Sequence, residues 1–215
     1  LQSCLSAGSA LVPIALFARR HFAFGNASIF TMGFTIAGMM VPVMLFLQEV
    51  HRFGPMKASF VVTPMAIIAG VMAPFVGRLV DRYDPRRFAV LGFCLMAIGV
   101  AALALSMRPE RPLWMIIGSF VILGFGNAFV WAPNSTATLR DLPPQFAGAG
   151  SGMYNATRQL GAVTGAAVIA AVVQARVSVV GPQAFGESLL PAVVMLILGA
   201  LASSVARQEA SHSDE

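Results

Sequence analysis

Three polar side chains share one face of an otherwise apolar stretch of the sequence. Asn155, Arg158 and Gln159 are spaced i, i+3 and i+4 within residues 151–173, so a helix presents them on one side. Polar groups at membrane depth usually face a bundle interior or a water-filled cavity. These three residues, and Asn127 of an earlier apolar stretch, are therefore predicted to line a cavity in which Arg158 supplies a fixed positive charge.

A second interpretation of Arg158 stays open. The residue lies roughly two turns inside its apolar stretch, a depth that a long side chain can just cover by snorkelling to the membrane surface. In that case Arg158 contributes to topology and not to binding. Farther along the same stretch, Gly161 and Gly165 form a GxxxG pattern, which is a signal for close helix packing.

A second charged group lies between two apolar stretches, in the segment GRLVDRYDPRR at residues 77–87. A carboxylate at the membrane edge, Asp81, can pair with an arginine or with a helix N-terminus. A glycine, Gly77, lets a neighbouring helix approach closely. One prediction is a conformational latch whose contacts form in one state and break in the other; the alternative is a basic loop that only fixes the topology. The latch candidates are Gly77, Asp81, Arg82, Arg86 and Arg87.

Groups suited to catalysis or metal binding do not cluster in the apolar stretches. All nine Asp and Glu residues fall at stretch ends, in loops or in the tail, and Glu49 comes nearest to a stretch interior. No stretch carries paired Asp, a Ser/His pair or HExxH, and neither cysteine has disulfide or metal spacing. We therefore predict no enzymatic activity, no metal and no cofactor. The three histidines lie in loops or the tail, at His21, His51 and His212.

The composition indicates a membrane protein. Of the 215 residues 57% are hydrophobic and 11% are charged, and the mean hydropathy is +0.78. Soluble domains usually carry about 25% charged residues, enough to cover their surface. The net charge of +5 lies mostly between apolar runs, which favours lipid headgroups over nucleic acid as the partner.

Six apolar runs approach the roughly 20 residues that a helix needs to cross the hydrocarbon core. The last is slightly short; the runs are 27–47, 58–80, 88–107, 113–132, 151–173 and 188–205. Asp84 and Pro85 are predicted as the N-cap and first residue of the third helix. The predicted domains are a preceding membrane segment and cytoplasmic linker at 1–26, a six-helix bundle at 27–206, and a polar cytoplasmic tail at 207–215.

Basic residues predict the orientation. If the segment before residue 27 is cytoplasmic, eight arginines lie inside and five basic residues outside, with Arg158 set aside. The strongest part of this bias is the arginine cluster at residues 78–87. The inside group is Arg19, Arg20, Arg78, Arg82, Arg86, Arg87, Arg140 and Arg207, and the outside group is Arg52, Lys57, Arg108, Arg111 and Arg176.

Segment 77–87 resembles the loop signature of major facilitator transporters, G-x-x-x-D-R-x-G-x-[RK]-[RK]. All five latch candidates match, while Asp84 stands where the family usually has glycine. Residues 151–165 resemble the fifth helix in the C-terminal half of the fourteen-helix drug/proton antiporters (EmrB/QacA type). Three shorter elements resemble the same family in the same order, and together the resemblance covers about residues 10–205. These elements are 13–22, 47–50 and 142–148.

The resemblance implies an all-α membrane protein, a six-transmembrane-helix bundle that forms the C-terminal half of a major facilitator fold. An N-terminal half is expected to carry an arginine in its fourth helix and a Gly-Pro motif in its fifth. The stretches at 113–132 and 151–173 have neither. We therefore expect the N-terminal half of the transporter to lie upstream of Leu1 and to carry the proton-binding carboxylate.

The function implied by the resemblance is secondary active transport across the plasma membrane by a multi-pass protein. We expect proton-coupled efflux of small amphipathic compounds or drugs by alternating access. The expected partners are the lipid bilayer, a small-molecule substrate, protons and the N-terminal half, and not nucleic acid. Two alternatives stay open: a major facilitator uptake transporter for another solute, and a non-transporting membrane scaffold or receptor.

Overall fold

The computed structural model describes residues 20–140 and 142–212, with side chains described as far as Val205. The predictions on residues 1–19, on Asp141 and on the side chains of the tail lie outside these residues. The described chain consists of helices, with short connections and no strand. The helices are α1 (Arg20–Glu49), α2 (Pro55–Arg82), α3 (Pro85–Ser106), α4 (Leu113–Leu139), α5 (Ala147–Val180), α6 (Ala184–Glu187) and α7 (Leu190–His212).

Five stretches of the described chain are long and apolar enough to cross a membrane, one fewer than the six runs predicted. The first four coincide with α1 to α4. The fifth, Pro144–Val205, is 62 residues long because its hydropathy stays high across the connection. Helix α5, with 34 residues, lies entirely within this stretch. Helix α7 begins within it.

Tertiary packing moves several predicted helix ends outward. Helix α1 begins at Arg20 and not at residue 27, because Phe22, Gly25 and Asn26 are buried against the bundle. Helix α4 continues past Pro133 to Leu139, beyond the end predicted at residue 132. A membrane helix tolerates an internal proline when its neighbours satisfy the freed backbone groups.

Helix α5 ends at a glycine whose backbone conformation differs from that of a helix. Gly181 has φ of +64°, which glycine adopts without the steric cost that other residues incur. A short 3-10 turn, Gly181–Gln183, and the four-residue helix α6 then lead to α7. An ion pair between Arg176 and Glu187, 2.5 Å apart, connects the end of α5 to α6.

Glycines bring α1 and α5 into backbone contact. A Cβ atom at Gly161 would overlap the carbonyl oxygen of Phe30, and one at Gly165 would overlap that of Phe34. From the other side, a Cβ atom at Gly33 would overlap the carbonyl oxygen of Arg158. The GxxxG pattern therefore marks a real helix contact, which sets the rotation of α5 about its own axis.

Helix α4 packs between α2 and α3 in a similar way. Gly92 of α3 faces the backbone of Phe129, and Gly126 of α4 faces Met96. On the opposite side, Gly124 of α4 lies against Ile68 of α2. These contacts hold α1 close to α5 and α2 close to α4, and the four helices surround a cavity.

Candidate functional site

A cavity of about 660 Å³ lies between α1, α2, α4 and α5. This volume is in the range of small-molecule sites, which are mostly apolar with a few placed polar groups. Methionine and alanine provide most of the wall, including Met32, Met40, Met65 and Ala69. The polar and aromatic side chains on the wall are Asn127, Trp131, Arg158 and Gln159.

Arg158 is stacked on an aromatic ring at the cavity wall. Its guanidinium carbon lies 5.4 Å from the centroid of the Trp131 ring, a distance typical of a cation–π contact. The Nε atom of Arg158 is buried and has no hydrogen-bond partner among the described residues. Arg158 as a whole is half-buried and forms no ion pair with a described residue, so its positive charge at the cavity wall is not neutralised by a neighbouring carboxylate.

The predicted cavity residues separate into two groups. Asn127, Arg158 and Gln159 come together on the wall, although they belong to two different helices. Asn155 is exposed, is not among the lining residues, and donates through Nδ2 to the carbonyl oxygen of Ser151 at 3.2 Å. It lies one turn before Arg158, and that turn is already beyond the end of the cavity.

Trp131 is a wall residue that the sequence interpretation missed. It is 50% exposed and lies four residues after Asn127, on the same face of α4. The i, i+4 spacing of an amide and an indole in an apolar stretch is a signal that could have identified it. In a helix that is apolar on every side this spacing is not distinctive, because many pairs of residues four positions apart contact lipid.

A buried polar network lies one turn away from Trp131 and Arg158. The Ser28 hydroxyl donates to Oδ1 of Asn134 at 2.7 Å, and Nδ2 of Asn134 donates to the Tyr154 hydroxyl at 2.9 Å. These bonds connect α1, α4 and α5. Buried polar groups in an apolar environment are costly unless they are paired, so the network favours one arrangement of the three helices.

The latch candidates lie at the connection of α2 and α3. Asp81, Arg82 and Arg87 are exposed, and Arg86 is half-buried. No atom of the described chain lies within 4 Å of the position that a Cβ atom at Gly77 would take, and Asp81 makes no ion pair with a described residue. Gly77 and Asp81 therefore make no latch contact of this kind within the described part of the chain.

The start of α3 follows the sequence prediction. Asp84 is the N-cap residue, Pro85 occupies the first turn, and the backbone N–H of Arg86 donates to Oδ1 of Asp84 at 3.0 Å. This bond satisfies one of the free N–H groups at the helix start. The aspartate that replaces the usual glycine of the signature thus caps the helix, and the N-cap prediction is confirmed.

Comparison with known protein families identifies the family of the chain that forms this cavity. Residues 6–166 match the model of the Major Facilitator Superfamily. The chain belongs to the Major Facilitator Superfamily. Together with its apolar helices, this membership makes it a multi-pass protein of the cell membrane. The apolar helices make the lipid bilayer the environment of this chain.

Several curated members of the superfamily are similar to the chain. An uncharacterized MFS-type transporter of Mycobacterium tuberculosis is 40% identical over 78% of this chain and 29% of the relative. The multidrug resistance protein Stp of the same species is 28% identical over 78% and 31%. The multidrug export protein EmrB of Escherichia coli is 28% identical over 74% and 31%. The chain spans about a third of the length of these relatives, and the resemblance to the EmrB type is confirmed.

Proposed function

We propose that this protein exports small amphipathic compounds in exchange for protons, by alternating access. The cavity between α1, α2, α4 and α5 is the observation that carries the proposal, because it combines an apolar wall with few polar groups. The names of two relatives, a multidrug resistance protein and a multidrug export protein, support the export of varied compounds. Methionine side chains suit such compounds because they adapt to different shapes.

We further propose that the chain crosses the membrane six times and forms one of the two halves of the transporter. In this proposal α5 and α7 each cross once, and the turn at Gly181 and helix α6 lie at the outer surface. A helix of 34 residues is about 50 Å long, which exceeds the roughly 30 Å of the hydrocarbon core. Among the described residues that line the cavity there is no carboxylate, so the proton carrier is assigned to the other half.

Flux in energised vesicles tests this function. Inside-out vesicles that contain the protein should accumulate a panel of amphipathic dyes when a proton gradient is imposed, and an uncoupler should abolish the accumulation. Vesicles without the protein provide the control. Accumulation only in the opposite orientation would identify an uptake transporter, and no protein-dependent flux of any dye would indicate a scaffold or receptor; either result contradicts the proposal.

The orientation is tested by labelling an introduced cysteine. Tyr83 is 65% exposed within the arginine-rich connection of α2 and α3, which we place in the cytoplasm. In a background without Cys4 and Cys94, Tyr83→Cys should react with an impermeant thiol reagent only after the cells are opened. Arg111→Cys, in the next connection, should react in intact cells. Labelling of the Tyr83→Cys variant in intact cells would show that the orientation is reversed.

The latch remains a proposal, with partners supplied by the other half of the transporter. The exposed Asp81 and the open space beside Gly77 support it, because both leave room for an approaching helix. We expect Asp81→Asn to lower flux several-fold at normal protein levels, since the lost charge pair favours one of the two transport states. The matched control is Glu110→Gln, an exposed carboxylate in a different connection. Equal flux in both variants would leave the loop with a topological role alone.

A further inference from the structure

The Trp131–Arg158 pair has an open side. The guanidinium of Arg158 lies over the indole ring at 5.4 Å, yet Trp131 remains 50% exposed. An indole that is held by a cation and still half exposed offers surface on which a second planar group can stack. Aromatic pairs of this kind are stabilising beyond the area that they bury.

The charge of the cavity wall has one sign. Among the described residues that line the cavity, Arg158 alone carries a charge, and there is no aspartate or glutamate. A positive charge in an environment of low dielectric constant attracts anions and repels cations more strongly than it does in water. Two further polar wall residues, Asn127 and Gln159, carry amide groups that can donate to an anion in the cavity.

The free donors of Arg158 suit a carboxylate. Arg158 lines the cavity, is half-buried and forms no ion pair with a described residue. A guanidinium can bind the two oxygens of a carboxylate in parallel, which a lysine ammonium cannot do. A ligand that supplies a carboxylate beside the Trp131 ring therefore satisfies both features of the pair.

We propose that this cavity selects planar aromatic compounds that carry a carboxylate, with Trp131 stacking on the ring and Arg158 binding the carboxylate. The proposal narrows the proposed export function to a substrate class and rests on that function. It also makes cationic aromatic compounds poor ligands, because they bring a second positive charge close to Arg158.

Three probes with the same ring test the charge preference. They are 2-naphthoate, 2-naphthamide and the cation 2-naphthyltrimethylammonium, each titrated by calorimetry into the purified protein in nanodiscs of phosphatidylcholine. We expect 2-naphthoate to bind at least about tenfold more tightly than the cation. Equal affinity for the anion and the cation, or tighter binding of the cation, would overturn the proposal.

Variants separate the two roles. Arg158→Gln should remove the preference for 2-naphthoate, and Arg158→Lys should keep the preference but bind the anion several-fold more weakly. Trp131→Leu should weaken all three probes and leave their order unchanged. Arg111→Gln and Trp114→Leu are matched controls, since both residues are exposed and lie outside the cavity, and they should bind as the wild type does. A preference for the anion that survives Arg158→Gln would contradict the assignment.

Flux of the same probes distinguishes a failure of this inference from a failure of the proposed function. Proton-driven export of 2-naphthoate but not of the cation supports both. Equal export of the anion and the cation leaves the export function intact and overturns the substrate class. Selective binding of 2-naphthoate without any export supports the site and contradicts the export function.

Discussion

Gly165→Val destabilises the protein by about 3 kcal/mol, near the upper end of the range for overpacked cores. Already the Cβ atom of the new side chain overlaps the carbonyl oxygen of Phe34. Backbone atoms cannot rotate out of the way as the end of a side chain can, so α1 and α5 must separate. The two helices then lose the close backbone approach on which packing in a membrane depends.

The measurement is equilibrium unfolding of the purified protein in mixed detergent micelles. Gly152→Val is the matched control, because it introduces the same residue into the same helix at a position with no atom of the described chain within 4 Å. Both variants carry the same change in helix propensity, so their difference reports the contact itself. Unfolding of the two variants at the same detergent composition would contradict the proposed role of Gly165.

Ala69→Trp blocks transport without unfolding the protein. Ala69 of α2 lies on the cavity wall and is half-buried, so an indole at this position fills space that a substrate would occupy. Small-molecule sites bury most of the ligand surface. We therefore expect the indole, which fills part of the cavity, to lower flux by more than about tenfold. The assay is the dye flux in energised vesicles described above, normalised to the amount of protein.

The control for this variant lies on the same helix. Ala66 is exposed and is not among the residues that line the cavity, so Ala66→Trp should transport at the wild-type rate. Both substitutions add the same side chain, and both variants should unfold at similar detergent compositions. Wild-type flux in Ala69→Trp would show that substrates do not use this cavity.

Local features of the sequence were sufficient to predict that this is a membrane protein and where one of its helices begins. Apolar length and the scarcity of charge predict membrane helices because the hydrocarbon core demands about 20 apolar residues, whatever the tertiary contacts are. The Asp84–Pro85 helix start was also predictable, since the capping bond joins residues two positions apart. The loop signature at 77–87 and the family membership rest on the same kind of local information.

Helix ends and helix rotation depended on the tertiary structure. The apolar stretches are hydrophobic nearly all round, so their periodicity does not show which face meets a neighbour and which meets lipid. The first turns of α1 and the last turns of α4 are helical because Phe22 and Thr138 are buried there. The boundaries predicted from hydropathy, at residues 27 and 132, therefore lay inside both helices.

Because the helices are apolar on nearly every side, the sequence alone also did not determine which residues line the cavity. Spacing grouped Asn155 with Arg158 and Gln159, and the structure places only the latter two on the cavity wall. It adds Trp131 from another helix and buries Asn134 beyond the predicted end of α4. The GxxxG pattern of Gly161 and Gly165 predicted a close helix contact, but it did not identify α1 as the partner, because the contact joins residues far apart in the sequence.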